Sequence, residues 1–477
     1  MIDMASPICR TIVEPIDLDV PTESVAVIFS QAEAPAILGS HLYHNTYGRF
    51  SIFAADPMDL VSIGCGAAAS PIDLLEERVG AYPIAAVTEA PVPFTGGWIG
   101  FITYEAGLTI EGIPSAAPWD PNLPLVRFGL YDAAAVYDHG ARKWYAVAVD
   151  WQERFAQGRG SARERIAQVR ERLAQSLAVA PTADPPATNV AAPTPNMSRE
   201  AYLSRVRQAK RYITAGDIYQ VNLTQRFTTH TSMSPIQSYR CLCRANPAPY
   251  AALAACGDVA VLSSSPELLL RLCGGHVVTR PIKGTRPRGD DVATNRANRA
   301  ALAASEKDRA ELTMIVDLLR NDLGRVCSYG SVRVTAPGQI EEHPTVFHRV
   351  ATVEGDLEAT RDWADLLRAA FPGGSVTGAP KIRAMQIISE LEPTSRGVYC
   401  GSIGWIGLDG SMCLNLAIRT MVQAGNEVHV YAGGAIIADS DPEDEYEETI
   451  AKAAGMLRAL GCGRPARSTR SQEVTPL

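Results

Sequence analysis

The segment 399–437, "YCGSIGWIGLDGSMCLNLAIRTMVQAGNEVHVYAGGAII", decides which kind of fold to expect. Its apolar and aromatic runs are separated by Asp409-Gly410 and Gly425-Asn426, pairs suited to tight reversals. The spacing predicts three strands joined by short turns. Working outward, "AAAVYDH" and "KWYAVAVDW" predict a hairpin in the first half, and "DVAVLSSSPELLLRLCGGHVVTRPI" continues the strand pattern in the second. Helical runs such as "SARERIAQVRERLAQSL" and "REAYLSRVRQAKRYITAGD" interrupt the strands instead of following each one. That order predicts an α+β fold with antiparallel sheets, not a doubly wound parallel sheet.

Residues 178–197, rich in Ala, Pro and Thr, read as an extended linker or exposed loop. They divide the 477-residue chain into an N-terminal region, 1–177, and a second region, 198–463, followed by a polar tail, 464–477. A composition with 46% hydrophobic and 20% charged residues suits a globular protein with a large core. The net charge of −8 gives no footprint for nucleic acid. No window carries the roughly 18 apolar residues of a membrane span, and the first residues lack the pattern of a secretory signal. The ten cysteines form neither a zinc pattern nor a disulfide framework, so buried, reduced thiols in a cytoplasmic protein are expected.

The stretch "VVTRPIKGTRPRG" (277–289) raises the first chemical question. Lys283 is either one more solvated cation beside Arg280, Arg286 and Arg288, or an amine held at a reacting centre. In "SEKDRAELTMIVDLLRNDLG" (305–324), Ser305 begins a helix that ends at Gly324. Glu311 falls within the apolar stripe of Leu312, Ile315, Leu318 and Leu319, with Asp308 and Asp322 near it. A carboxylate in such a stripe needs a partner. Asp308 suits either that role or the helix dipole. In "DSDPEDEYEETIAKAAGMLRAL", Asp441 caps a second acidic helix whose Glu445 and Glu448 share a face, with Lys452 a turn further on. Two such helices could share a magnesium ion, which needs only one or two protein carboxylates.

Two glycine-rich turns suit anions. "FPGGSVTGAPKIRAMQIISELEP" opens a helix with Pro380 placed as its first residue, and offers backbone amides and the Ser375 and Thr377 hydroxyls. "YAGGAII" adds a second glycine pair at a strand end. Arg419, on the strand "LNLAIRTMV", is either a bidentate clamp for a carboxylate or a salt-bridged structural residue.

Taken in order, "AKRYITAGDIYQVNLTQRF", "SSPELLLR", "RPIKGTRPRG", "DRAELTMIVDLLRNDLGRV", "GSVTGAPKIRAMQII" and "GGAIIADSDPEDEYEET" resemble the chorismate-utilising enzymes, a family that includes component I of anthranilate synthase and of aminodeoxychorismate synthase. "YGRFSIFAADP", "FTGGWIGFITYE" and "FGLYDAAAVYDH" extend the likeness through the first half. The resemblance implies one composite unit of two facing antiparallel sheets flanked by helices. It implies magnesium ligands at Glu311 and Glu448, with Asp308 and Glu445 beside them. Holders of the substrate would be Tyr399, Arg419, Lys452 and the amides of Gly433, Gly434 and Ala435, with Gly284 and Thr285 along its ring. His348 would stand near the departing hydroxyl, and Glu267 would be the general acid.

The family's chemistries diverge at the residue before Gly284-Thr285. Anthranilate synthases usually read P-I-A-G-T; here Lys283 stands in that place, which resembles the branch that makes 4-amino-4-deoxychorismate for 4-aminobenzoate and folate. There the amine attacks C2 and expels the C4 hydroxyl, and ammonia then adds at C4 and releases the lysine. That demands a neutral Lys283, its pKa lowered by burial beside magnesium and the arginines. No glutaminase signature is present, so ammonia would come from a separate amidotransferase subunit, and no lyase segment follows residue 463. Anthranilate synthase component I is the alternative, and a non-catalytic amino-acid-sensing relative is another. Gly39 replaces the glutamate of the family's tryptophan-sensing Leu-Leu-Glu-Ser element.

Overall fold

The three strands expected over 399–437 are four: Ser402–Gly407, Met412–Asn415, Thr420–Ala424 and Glu427–Ile436. The reversals fall at the predicted dipeptides, but the middle run breaks over 416–419 and its two halves join different sheets. Arg419 is therefore not on a strand. It lies in the crossing, with a φ of 53°, a left-handed conformation uncommon outside glycine. Apolar content alone does not separate a continuous buried strand from one that bends between layers.

The neighbouring chain does the same. Val259–Ser265 lies in one sheet and Leu268–Cys273 in the other. Pro266, which has no N–H for the ladder, ends the first strand and leaves Glu267 in the crossing. The two crossings are bonded to each other. Ser264 N–H donates to the Arg419 carbonyl and Leu416 N–H to the Glu267 carbonyl, each at 3.0 Å. The Ser265 hydroxyl donates to the Leu416 carbonyl at 2.6 Å.

This computed structural model describes residues 9–44, 46–67, 69–82, 90–118, 123–152, 155, 158–179 and 192–462, so residues 180–191 of the Ala/Pro/Thr-rich segment and the tail 464–477 lie outside it. Within those residues one sheet has twelve strands and the other ten, and the strand pairs are antiparallel. The predicted hairpin is present, with Ala133 opposite Ala148 and Asp138 opposite Lys143. Ala36–Gly39 pairs with Tyr250–Cys256, and Gly97–Ile102 with Ser402–Gly407, so strands from both regions stand side by side in each sheet. The sheets face each other across apolar side chains: Phe101 and Ile403 of one pack with Ala252 and Val261 of the other.

The helices form where the sequence supplies ends for them. Ser305 accepts from the Asp308 N–H at the start of Glu306–Gly324. Asp441 accepts from the Glu443 and Asp444 N–H groups at the start of Pro442–Ala459. The helix after the glycine-rich turn is Lys381–Leu391, so Pro380 is its cap rather than its first residue. None of the ten cysteines forms a disulfide, but Cys65 and Cys273 are exposed, against the expectation of uniformly buried thiols. No helix among the described residues is long and apolar enough to cross a membrane.

Candidate active site

The paired crossings open onto a cavity of about 700 Å³. Its wall carries Glu267 and Arg419 from the crossings, Tyr399 from the turn before Ser402–Gly407, and Lys283, Gly284, Thr285 and His348 from the strands Ile282–Pro287 and Val346–Asp356. Gly433 and Ala435 come from Glu427–Ile436. Glu311 and Asp308 come from one acidic helix, and Glu448 and Lys452 from the other.

Lys283 is set apart from the arginines around it. Arg280 is ion-paired to Glu341, Arg286 to Asp308 at 3.0 Å, and Arg288 to Glu342 at 2.9 Å. Lys283 Nζ instead donates to the Ser375 carbonyl at 3.1 Å. Burial lowers its pKa, and the Lys452 charge adds to that effect against the opposing pull of Glu311. The neighbouring cation is thus a lysine, not the arginines the sequence suggested. Ser375 also donates its hydroxyl to Glu267 Oε1 at 2.7 Å. Burial pushes the Glu267 carboxyl up to about 7, although the Ser375 hydrogen bond and Lys283 pull the other way.

His348 is buried beside these groups, and its Nδ1 lies 2.9 Å from the Thr285 hydroxyl. Burial brings its pKa down to about 3, so it is a neutral imidazole at physiological pH. Tyr399 stacks on Tyr431 with ring centres 5.5 Å apart. Arg419 donates from Nη1 to the Lys452 carbonyl at 3.3 Å, and no carboxylate among the described residues pairs with it. Among the described residues the salt-bridged alternative is not realised, and the guanidinium lines the cavity. Gly284 has a φ of 89°, and a Cβ there would lie 2.8 Å from Asp308 Cγ, so only glycine lets this strand close on the acidic helix.

Two expected substrate holders are elsewhere. Thr377 is buried with its hydroxyl donating to the Gly373 and Gly374 carbonyls of its own turn, and it does not line the cavity. Gly434 turns the other way along its strand, towards Glu445 and Glu448. Asn222 and Tyr431, which do line the cavity, escaped the sequence reading because nothing in their local pattern separates them from ordinary strand residues.

Comparison with known proteins agrees with this geometry. The family model described as "chorismate binding enzyme" matches residues 39–458. The chain belongs to the chorismate-binding enzymes. It is 40% identical to aminodeoxychorismate synthase component 1 of Klebsiella aerogenes, over 89% of this chain and 93% of that protein. It is 43% identical to anthranilate synthase component 1 of Thermus thermophilus, over 82% of each. The crystal structure of anthranilate synthase component I from Streptococcus pneumoniae superposes with a TM-score of 0.75 at 32% identity, covering 86% of this chain and 92% of that one.

For a chorismate-binding enzyme, the acidic end of the cavity is the place to test for magnesium. Burial raises the Glu311 pKa, with Asp308 and Glu448 adding to the rise. Burial also works against charge on Glu448, but Lys452, 2.6 Å away, brings its pKa below the usual value. Glu445 accepts from the Ser440 hydroxyl through Oε1, while its buried Oε2 has no partner among the described residues. A Cβ on Gly434 would lie 2.9 Å from that oxygen and 3.5 Å from Glu448 Oε1, so the two carboxylates converge there. No three His, Cys, Asp or Glu side chains among the described residues are gathered to hold an ion by themselves. This donor set fits a hard cation that completes its shell with water and a bound anion, as magnesium does.

Proposed function

We propose that the protein aminates chorismate to 4-amino-4-deoxychorismate with ammonia supplied by a separate glutamine amidotransferase subunit, in the cytoplasm. The observation that carries the reading is the meeting of Lys283 and Glu267 on Ser375, one with its pKa lowered by burial and the other raised to about 7. The two shifts run in the directions the reaction needs, towards a neutral amine and a protonated carboxyl. The amine adds to C2, the ring double bond shifts, and the C4 hydroxyl leaves as water on taking the Glu267 proton. Ammonia then bonds to C4, the double bond returns and the lysine departs. Neutral His348, turned by Thr285, and the stacked Tyr399 order the polar and ring faces of the substrate. Arg419 and the Gly433 and Ala435 amides bind a substrate carboxylate. Magnesium, held by Glu311 and Glu448 with Asp308 and Glu445 alongside, would supply positive charge to the other carboxylate.

The partner subunit is supported by the name "component 1" in the relatives of both kinds. A second reading, anthranilate synthesis, draws on the 43% identity to the Thermus protein. Incubation with chorismate, magnesium and ammonium at alkaline pH, followed by chromatography and mass analysis, separates them. 4-Amino-4-deoxychorismate is expected; fluorescent anthranilate as the main product, or no turnover at all, would overturn the proposal.

A further inference from the structure

Ser375 is hydrogen-bonded to both groups that the proposed reaction needs in opposite protonation states, through its carbonyl to Lys283 and its hydroxyl to Glu267. It lies in the short turn Gly374–Val376, whose place is fixed from three sides. Arg396, 1% exposed and ion-paired to Glu392 at 2.6 Å, donates from Nη1 to the Val376 carbonyl at 2.8 Å. Thr377 ties the turn to Gly373 through its hydroxyl. On the third side Leu318, from the helix Glu306–Gly324, presses so close that a Cβ on Gly374 would lie 2.5 Å from its Cδ2. The serine thus has little freedom to follow a side chain that moves.

We propose that Ser375 is a positioning residue that locks acid and amine together, its hydroxyl aiming Glu267 Oε1 and its carbonyl aiming Lys283 Nζ. This deepens the aminating reading and rests on it for the roles of Glu267 and Lys283. The sequence had offered this hydroxyl to the substrate; its engagement with Glu267 gives it a different task. A hydroxyl that donates to a carboxylate favours the ionised form, so Ser375 eases the loss of the Glu267 proton at the moment the C4 oxygen takes it. The fixed carbonyl accepts a hydrogen from the amine and leaves its lone pair directed away from the turn, into the cavity. The charged group acting on Glu267 is Lys283, on the adjoining strand, while the Ile282 N–H donates to it. Glu311 and Glu448, from the two acidic helices, and Lys452 act on Lys283. His348 and Arg419 line the same cavity.

Ser375→Ala and Ser375→Thr provide the test, since threonine keeps the hydroxyl. The carboxyl C=O infrared band, assigned to Glu267 by subtracting the Glu267→Gln spectrum, is titrated in each full-length protein. Ser375→Ala is expected to move its midpoint upward by about one unit and to lower kcat about 10- to 100-fold with KM for chorismate little changed. Ser375→Thr is expected to restore the wild-type midpoint. An unmoved midpoint in Ser375→Ala would overturn the proposal. So would equal losses in both variants accompanied by lowered melting temperatures, the mark of a purely structural residue. The titration needs no turnover, so a wild-type protein that made anthranilate would sink the aminating reading and leave the Ser375 result standing.

Discussion

Two buried ionic regions, both reached from the same turn, have been built in opposite ways. Behind the turn, Arg396 and Glu392 are almost wholly enclosed, and every direction is satisfied: Glu392 also accepts from the Thr224 N–H, and Arg396 donates to the Val376 and Asn222 carbonyls. In front of it, Lys283 and Arg419 face the cavity with carbonyl contacts but no carboxylate partner among the described residues. The first region meets the desolvation cost of its charges internally and is finished before any ligand arrives. In the second, burial is met instead by a lowered Lys283 pKa and, in the proposed reading, by a substrate carboxylate that pairs with Arg419.

The sharpest way to break this contrast is Lys283→Ala. Formation of 4-amino-4-deoxychorismate should fall by about 10³-fold or more, while the melting temperature holds or rises because a desolvated amine has gone. Unchanged turnover, or a collapse of the fold, would place Lys283 with the structural charges. The converse substitution, Arg396→Ala, strands Glu392 in the core and should cost about 3–5 kcal/mol in denaturant unfolding. A loss below that found at exposed pairs would show that the rear pair is not needed to hold the turn.

Glu267→Gln sharpens the comparison through pH. The folded protein raises the Glu267 pKa from 4.5 to about 7, so the folded state holds the proton more tightly than the unfolded chain. The stability linked to that proton is complete below 4.5 and is lost as pH rises through about 7. Glutamine should leave stability near wild type at the acid end and raise it above neutrality, by up to about 3 kcal/mol. Denaturation curves with the same difference at both ends would remove the buried-acid argument. The smallest effect belongs to the rim: Arg286→Ala, which breaks a part-exposed pair with Asp308, should change stability by less than about 1 kcal/mol and weaken with added salt beforehand. A larger, salt-insensitive loss would move that pair into the first region.

Much of the site was legible because its residues sit in short signals that act locally. Ser305 and Asp441 announce helix starts, and the carboxylates that follow each cap at helical spacing were readable as a facing set. Lys283 stands out among the arginines of its loop, whereas the close approach at Gly284 shows only in the fold. Other residues were misplaced for an equally definite reason. "LSSSPELLLRL" and "LNLAIRTMV" look like uninterrupted strands because the apolar run continues on both sides of the bend. Thr377 looks like an anion donor until its turn closes on it, and Asn222 gives no sign of which sheet edge it will line.

The order of strands and helices, the caps, the turns and the family were set by the chain itself, since each depends on contacts within a few residues or on a pattern read along it. What only the tertiary structure decided is that two distant strand pairs change sheets at the same level and bond to each other there. That crossing brings Glu267 and Arg419, 152 positions apart in the numbering, to one cavity and lets a single serine hold an acid and an amine. No local rule encodes it, because the position of the bend is fixed by which faces of two packed sheets must be covered.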